Sequence, residues 1–291
     1  MTLAVLIFGL SEAASATACL LHRSGWAVVL AADAPPKVHR RCMSFADVWW
    51  DGSAVLAGVS SIRLAPDQLV THGCPIGFVP FVAMEPDEAL GILPWAYVID
   101  ARLAKRGVPL RLIGRAGVTI GCGPGHVAGE TCDYAIETQW GDRLGAVITA
   151  GPTAALAGEP RAIEGVGRER IVYAPVAGTL RVLRDIGAAV TAGEIVAMVH
   201  DHPITAPVCG TMRGILRNGI TVTQGDKLLE VDPRPAGRAV FTGIGQRPAA
   251  IAEGVRRAMG IGDVPTAIPG LRSSARPDHP VPTPYQKETL P

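Results

Sequence analysis

Residues able to hold an anion recur at four places in this chain. Gly9-Leu10-Ser11 closes the apolar run Leu3–Phe8, and Asp33 closes a second run, Trp26–Leu30. A glycine turn into a helix, with an acid some 20 residues on, is how a βαβ unit holds a dinucleotide. Ser11 stands where that fingerprint needs its second glycine. Glu12 places a negative charge in the first helical turn, where it competes with a phosphate for the helix dipole. Arg40-Arg41 follows Pro35-Pro36 in a loop; two guanidinium groups there either grip an anion bidentately or stand solvated. Asp100 ends the run Trp95–Ile99, with Lys105 beyond it on an expected helical turn. Gly121, Gly123 and Gly125, around Pro124, either expose amides as an anion nest or simply turn the chain. Glu137 lies on the alternating segment Tyr134–Gln139, where it is either solvated or part of a site.

The elements that would carry these residues read as a doubly wound sheet. Continuous apolar runs are the pattern of parallel strands buried on both faces. Ser11 can cap a helix in which Ala14, Ala18 and Leu21 fall at helical spacing. Ser53–Val59 reads as one strand and Glu85–Leu93 as a helix. In such a sheet Gly9, Ser11, Asp33, Asp100 and the Gly121–Gly125 loop all reach one edge, where ligands bind. Arg40 and Arg41 can fold back over it.

Composition narrows the classes. A formal net charge of +1 over 291 residues offers no basic excess for nucleic acid. The six cysteines form no C-x-x-C pair, which argues against a zinc site or a disulfide framework. No apolar run approaches the roughly 20 residues that span a bilayer. Met1-Thr2 supplies no positive charge ahead of Leu3–Leu10, as a signal peptide requires. The expectation is a cytoplasmic protein with no membrane partner.

A repeat organises the second half. Ala174-Pro175-Val176-Ala177-Gly178-Thr179 returns 32 residues later as Ala206-Pro207-Val208-Cys209-Gly210-Thr211, and Gly187, Val190 and Gly193 return as Gly219, Val222 and Gly225. Fixed-period similarity marks repeated supersecondary units that bury their cores on each other. The two copies resemble the barrel-sandwich hybrid of biotinyl and lipoyl carriers. Those present a lysine at the hairpin between the halves, whereas this chain has Val199-His200-Asp201-His202-Pro203. No covalent biotin or lipoate is expected, and a rigid docking module is. His200 and His202 supply too few ligands for a metal.

An ordered series of motifs also resembles the YqeB family, accessory proteins of the (selenium-dependent) molybdenum hydroxylase system. It runs from Arg40-Arg41 with Ser44-Phe45, through Val98–Arg106, Gly123–Gly129 and Ala135–Thr138, to Glu169-Arg170. It continues in the Ala-Pro-x-x-Gly repeat, Met212-Arg213-Gly214 and Val231-Asp232-Pro233-Arg234. The chain departs from the family pattern at Trp140–Ala146 and Pro152–Ala155, and in its first loop, Gly9–Glu12. The resemblance implies a maturation role with a molybdenum hydroxylase or its maturation machinery as partner, and a molybdopterin-type or nucleotide ligand. The alternative is an NAD(P)-dependent small-molecule oxidoreductase. The fold expected is α/β plus β. A Rossmann-like domain spans 1–165, a barrel-sandwich module 166–234, and a C-terminal helical segment 235–262. A proline-rich tail over 263–291 is too poor in large apolar groups to order itself.

Overall fold

The computed structural model describes residues 4–103, 108–156, 158 and 160–261; Lys105 and the tail expected at 263–291 lie outside them. In chain order the first part contains β1 (Ala4–Phe8), α1 (Glu12–Arg23), β2 (Ala27–Ala32), α2 (Val48–Asp51), β3 (Ser53–Leu56) and β4 (Val59–Arg63). It continues with α3 (Pro66–His72), β5 (Val79–Ala83), α4 (Pro86–Gly91), β6 (Trp95–Asp100), β7 (Val118–Cys122), β8 (Val127–Ala128), β9 (Tyr134–Ile136), β10 (Val147–Ile148) and β11 (Gly151–Pro152).

Nine of these strands form one mixed sheet in the order β10-β9-β7-β6-β1-β2-β5-β4-β3. The pairs from β9 to β4 are parallel, and an antiparallel strand closes each edge. The chain winds outward from β1 through β2 to β5 and β4, then returns beside β1 as β6 and winds the other way. That reversal sets a switch point between β1 and β6, where open α/β sheets place their ligands. The single strand expected over Ser53–Val59 is instead a hairpin. Ala57 at φ 49° and Gly58 at φ 81° turn it, with both central residues at positive φ as a two-residue I′ turn requires. The helix expected over Glu85–Leu93 is shorter, ending at Gly91.

Alternation decides which residues meet which layer. Val5, Ile7, Val28, Leu30, Tyr97 and Ile99 point to one face, against Ala14, Ala18 and Leu21 of α1 and Ile251 and Val255 of the last helix, α5 (Gln246–Ile261). Leu6, Phe8, Val29, Ala31 and Val98 point to the other, against Leu69 of α3 and Ala89 of α4. The C-terminal helix therefore belongs to the sheet's own core, and Tyr97 Oη donates to Met259 O at 3.1 Å.

Eight strands build the second part: β12 (Ile171–Tyr173), β13 (Gly178–Val182), β14 (Ala189–Val190), β15 (Ile195–Val199), β16 (His202–Thr205), β17 (Gly210–Ile215), β18 (Thr221–Val222) and β19 (Lys227–Asp232). They make two four-stranded sheets, β12-β19-β17-β14 and β16-β15-β13-β18. A shift of 32 residues turns β12, β13, β14 and β15 into β16, β17, β18 and β19. Exchanging the repeats thus converts one sheet order into the other. Each sheet contains strands of both repeats, so neither copy can bury Leu180, Val196, Met212 or Leu228 alone.

Candidate functional site

The sheet edge does not gather its residues as one cluster. At the switch point Gly9 has φ 104°, and a Cβ there would stand 2.9 Å from Arg102 Cα. The main chain after β6 therefore lies in the crevice where a pyrophosphate would approach. Ala101 N donates to Phe8 O at 3.1 Å, and Ser11 Oγ donates to Ala101 O at 2.8 Å while also capping α1 through Ala14 N.

Asp100 is buried here and engaged on two sides. Arg102 donates to it from Nε and Nη2, at 2.9 and 2.8 Å, and His126 Nε2 lies 3.5 Å from its Oδ2. Burial would push the Asp100 carboxyl up, but the bonds from His126 and Arg102 hold it well below the usual carboxylate range. Burial likewise opposes charge on His126, yet its hydrogen bond with Asp100 prevails and pushes it up to about 9. Gly121 is needed because the His126 ring packs directly on it, where a Cβ would stand. The anion nest expected at Gly121–Gly125 loses the Gly123 amide to internal bonding. Gly123 N donates to Ile136 O and His126 N to Gly123 O, so the loop spends these amides on its own packing. Asp33 is exposed beside Arg102, adding its charge to that of Asp100 in raising Arg102's pKa.

Glu137 is buried as a positioning group. Its Oε1 accepts from Thr138 N at 2.7 Å and Gln139 N at 2.8 Å, and its Oε2 from Ala154 N at 2.8 Å. It ties the Thr138–Trp140 turn to the segment around Ala154.

The arginine pair diverges, which corrects the reading of two side chains folded over one edge or standing solvated. Arg41 is 9% exposed, donating to Ile215 O at 3.0 Å, Asp47 at 2.9 Å and Asp185 at 2.6 Å. Arg40 points the other way, to Glu230 and Glu12. Successive residues here face opposite sides, and both reach from the sheet domain into the repeat module or its contacts.

What Arg40 faces is a cleft of about 870 Å³ between the two parts. Ser11, Glu12 and Arg40 line one side, Glu137 and Trp140 another, Arg170, Arg213, Lys227 and Arg234 the module's side, and Arg247 the start of α5. Apolar walls come from Ile163, Ile171, Val240 and Ile244. Of the residues singled out in the sequence, the cleft brings together Ser11, Arg40 and Glu137; Gly9, Asp33, Asp100, Gly121 and Arg41 lie elsewhere.

Behind the cleft's cationic lining lies Glu230, which is fully buried. It receives Arg40 at 2.8 Å, His39 at 3.2 Å, Lys227 at 3.1 Å, Arg170 at 3.2 Å and Arg213 at 3.5 Å. Burial favours a protonated acid, but the His39 bond and the Arg40 and Lys227 charges keep the carboxyl ionised far below its ordinary range. His39 is pushed down to about 3, by burial first and then by the charge of Lys227, so it donates as a neutral imidazole. Asp232, two residues on along β19, takes Arg234 at 2.6 Å and Arg213 at 3.4 Å. Burial, then the charge of Arg40, lowers Arg213's pKa, the mark of crowded cations. Arg170 is 2% exposed; its Nη1 and the Nε of Arg213 meet Glu230 as ion pairs, and among the described residues the Nε of Arg170 has no hydrogen-bond partner.

Sequence reasoning missed Glu230, Asp232, Arg170 and Arg213 as site residues. One signal was present: two acids at i, i+2 in the strand Lys227–Asp232, among Leu228, Leu229 and Val231, must share a face. Buried acids on one face need cations opposite.

No family model matches the chain, and no solved structure does. Among curated proteins, "Uncharacterized protein YqeB" of Escherichia coli (strain K12) is 34% identical over 255 residues, which is 88% of this chain and 47% of that protein. The chain thus spans about half the length of that relative.

Proposed function

Because this chain belongs to the YqeB family, we propose that it is an accessory protein of a molybdenum-containing hydroxylase system. Its working site is the cleft between sheet domain and repeat module, and its ligand a phosphorylated cofactor or precursor of molybdopterin or nucleotide type. The observation that carries the ligand half of this reading is the pair Arg170 and Arg213. Both side chains line the cleft, and a phosphate presents the oxygens that match a guanidinium fork. The residues present therefore fit a phosphate-bearing group, with Arg170 and Arg213 holding it.

The remaining residues serve that site. Glu137 fixes the Thr138–Trp140 turn, and Arg247 Nε donates to Thr138 O at 2.6 Å, so α5 holds the same turn from outside. Glu230 and Asp232 orient the cations, as carboxylates behind a ligand-binding shell do. The repeat module is read as a barrel-sandwich hybrid of the biotinyl and lipoyl kind without an attachment lysine, used to dock the partner hydroxylase or its maturation machinery. Support comes from the strand exchange between its sheets and from the Val199–His202 hairpin, where His200 packs on Gly178. The dinucleotide alternative is disfavoured by the Arg102 main chain against Gly9.

The test is deletion of the gene in its own host. Molybdenum hydroxylase activity should fall while hydroxylase protein and molybdenum enzymes of other classes persist; unchanged hydroxylase activity would refute the role.

A further inference from the structure

We infer that Trp140 is the platform on which the cleft stacks the flat part of its ligand, a fused nitrogen-containing aromatic ring of purine or pterin kind. This rests on the reading of the cleft as a ligand site. It adds the ring as the feature recognised and the residue that recognises it.

Ten large apolar side chains stand exposed among the described residues, and four of them, Trp140, Leu156, Tyr173 and Val240, line this one cleft. Exposed apolar residues scattered singly need no explanation, but a group around a concave mouth marks a surface that a ligand covers. Two of the four are aromatic, one on each side. Trp140 belongs to the sheet domain; Tyr173 lies on β12 of the module, where Arg168 Nη1 donates to its Oη at 3.2 Å.

Trp140 is 36% exposed, yet it is held from several directions. Its turn hangs on the buried Glu137 carboxylate, which accepts from Thr138 N, Gln139 N and Ala154 N, and Arg247 Nε grips Thr138 O. The Arg161 guanidinium lies over the indole, 5.1 Å from the ring centroid. Arg161 is itself fixed at both ends. Its Nη1 donates to Gln246 Oε1 at 3.0 Å, and its carbonyl accepts from Arg170 Nη2 at 2.7 Å. A platform built before the ligand arrives spares the ordering cost of making one on binding.

An aliphatic ligand would need only branched apolar walls. A flat nitrogen heterocycle needs two things together, a π surface for its face and amide groups for its edge. The cleft offers both in one place. Gln139 adjoins Trp140 in the chain, Gln246 is bonded to Arg161, and both glutamines line the cleft. Each side-chain amide presents a donor and an acceptor, the pattern that ring nitrogens and exocyclic groups require.

The experiment titrates the full chain calorimetrically with guanosine monophosphate, neopterin monophosphate and ribose 5-phosphate, which carry the same phosphate on a purine, a pterin and no ring. At least one ring-bearing probe should bind about tenfold more tightly than ribose 5-phosphate, and the tighter of the two identifies the source of the ring. Trp140→Ala should remove that advantage and leave ribose 5-phosphate unchanged, while Trp140→Phe should keep most of it. Arg161→Gln, which loosens the platform, gives the same reading should Trp140→Ala fail to fold. Ribose 5-phosphate binding as tightly as both ring-bearing probes would overturn this inference and leave the phosphate reading of the cleft standing. A ring advantage untouched by Trp140→Ala, or by Arg161→Gln in its place, would overturn it equally. Binding of none of the three at millimolar concentration would overturn both this inference and the ligand half of the proposed function.

Discussion

Arg40 places Nη2 between both carboxylate oxygens of Glu230, at 2.9 Å from Oε1 and 2.8 Å from Oε2, across 190 residues of sequence. The pair joins the loop after β2 to the last strand of the repeat module. With Lys37–Asp226 and Arg217–Asp51 it makes the seam between the two parts electrostatic. Such a seam is specific in register, since each partner is useful only at its mate's position.

Breaking that pair should be costly. Arg40→Met leaves Glu230 buried with fewer donors, a change that costs about 3–5 kcal/mol when a buried ion pair loses one partner. Arg40→Ala with Arg41→Ala should lower the melting temperature strongly, the reverse of what a solvated pair would do. Urea denaturation of each variant measures it, and a loss under about 1 kcal/mol would show that the network contributes little.

Stability should peak near pH 6.5. His126 is pushed up to about 9 in the folded chain, so its contribution is complete below its ordinary 6.5 and is lost as pH rises toward 9, worth roughly 3 kcal/mol. His39 is pushed down to about 3, so the unfolded chain takes up a proton that the folded chain refuses, and stability falls as pH drops below 6.5. Asp100 and Glu230, both held below the ordinary carboxylate range, steepen the acid side. His126→Gln should flatten the alkaline limb in a pH series of urea midpoints; an unchanged limb would assign it to other groups.

Gly214 should resist substitution. A Cβ there would stand 2.8 Å from His39 O, a main-chain atom of the loop that also carries Arg40. Gly214→Ala must push the loop from the module, and overpacking of this kind costs about 1–3 kcal/mol. Thermal melting checks it, with Gly237→Ala as the comparison, because a Cβ at Gly237 meets nothing within 4 Å and its φ lies outside the left-handed region.

NAD should bind no more tightly than about millimolar, near −4 kcal/mol. Sequence places the obstacle at Ser11 and Glu12; the structure adds Arg102, whose Cα would lie 2.9 Å from a Cβ on Gly9. A micromolar dissociation constant by calorimetry would show that the Ala101–Leu103 segment moves aside.

Much of the fold was legible because periodicity speaks locally. The runs Ala4–Phe8 and Trp95–Asp100 carry their own burial pattern, and the 32-residue repeat carries its own symmetry. The cleft was not legible, because it depends on which loop meets which strand. Arg40 and Arg41 look alike in sequence; only the seam sends one to Glu230 and the other to Asp185 and Ile215. Asp100 reads as a ligand-edge acid, yet Arg102 and His126, both later in the chain, claim its oxygens. Arg170 gives no sign of being buried until β19 supplies Glu230 beside it.

The most direct measurement of the central claim is complementation. A strain lacking the gene, carrying either the native chain or Arg213→Gln, is assayed for molybdenum hydroxylase activity per unit of hydroxylase protein, with accessory-protein levels matched. The account requires native activity to be restored by the first and to stay at least several-fold lower with the second, whose fold is intact by melting. Full restoration by Arg213→Gln would contradict it, because the protein would then do its work without the cleft.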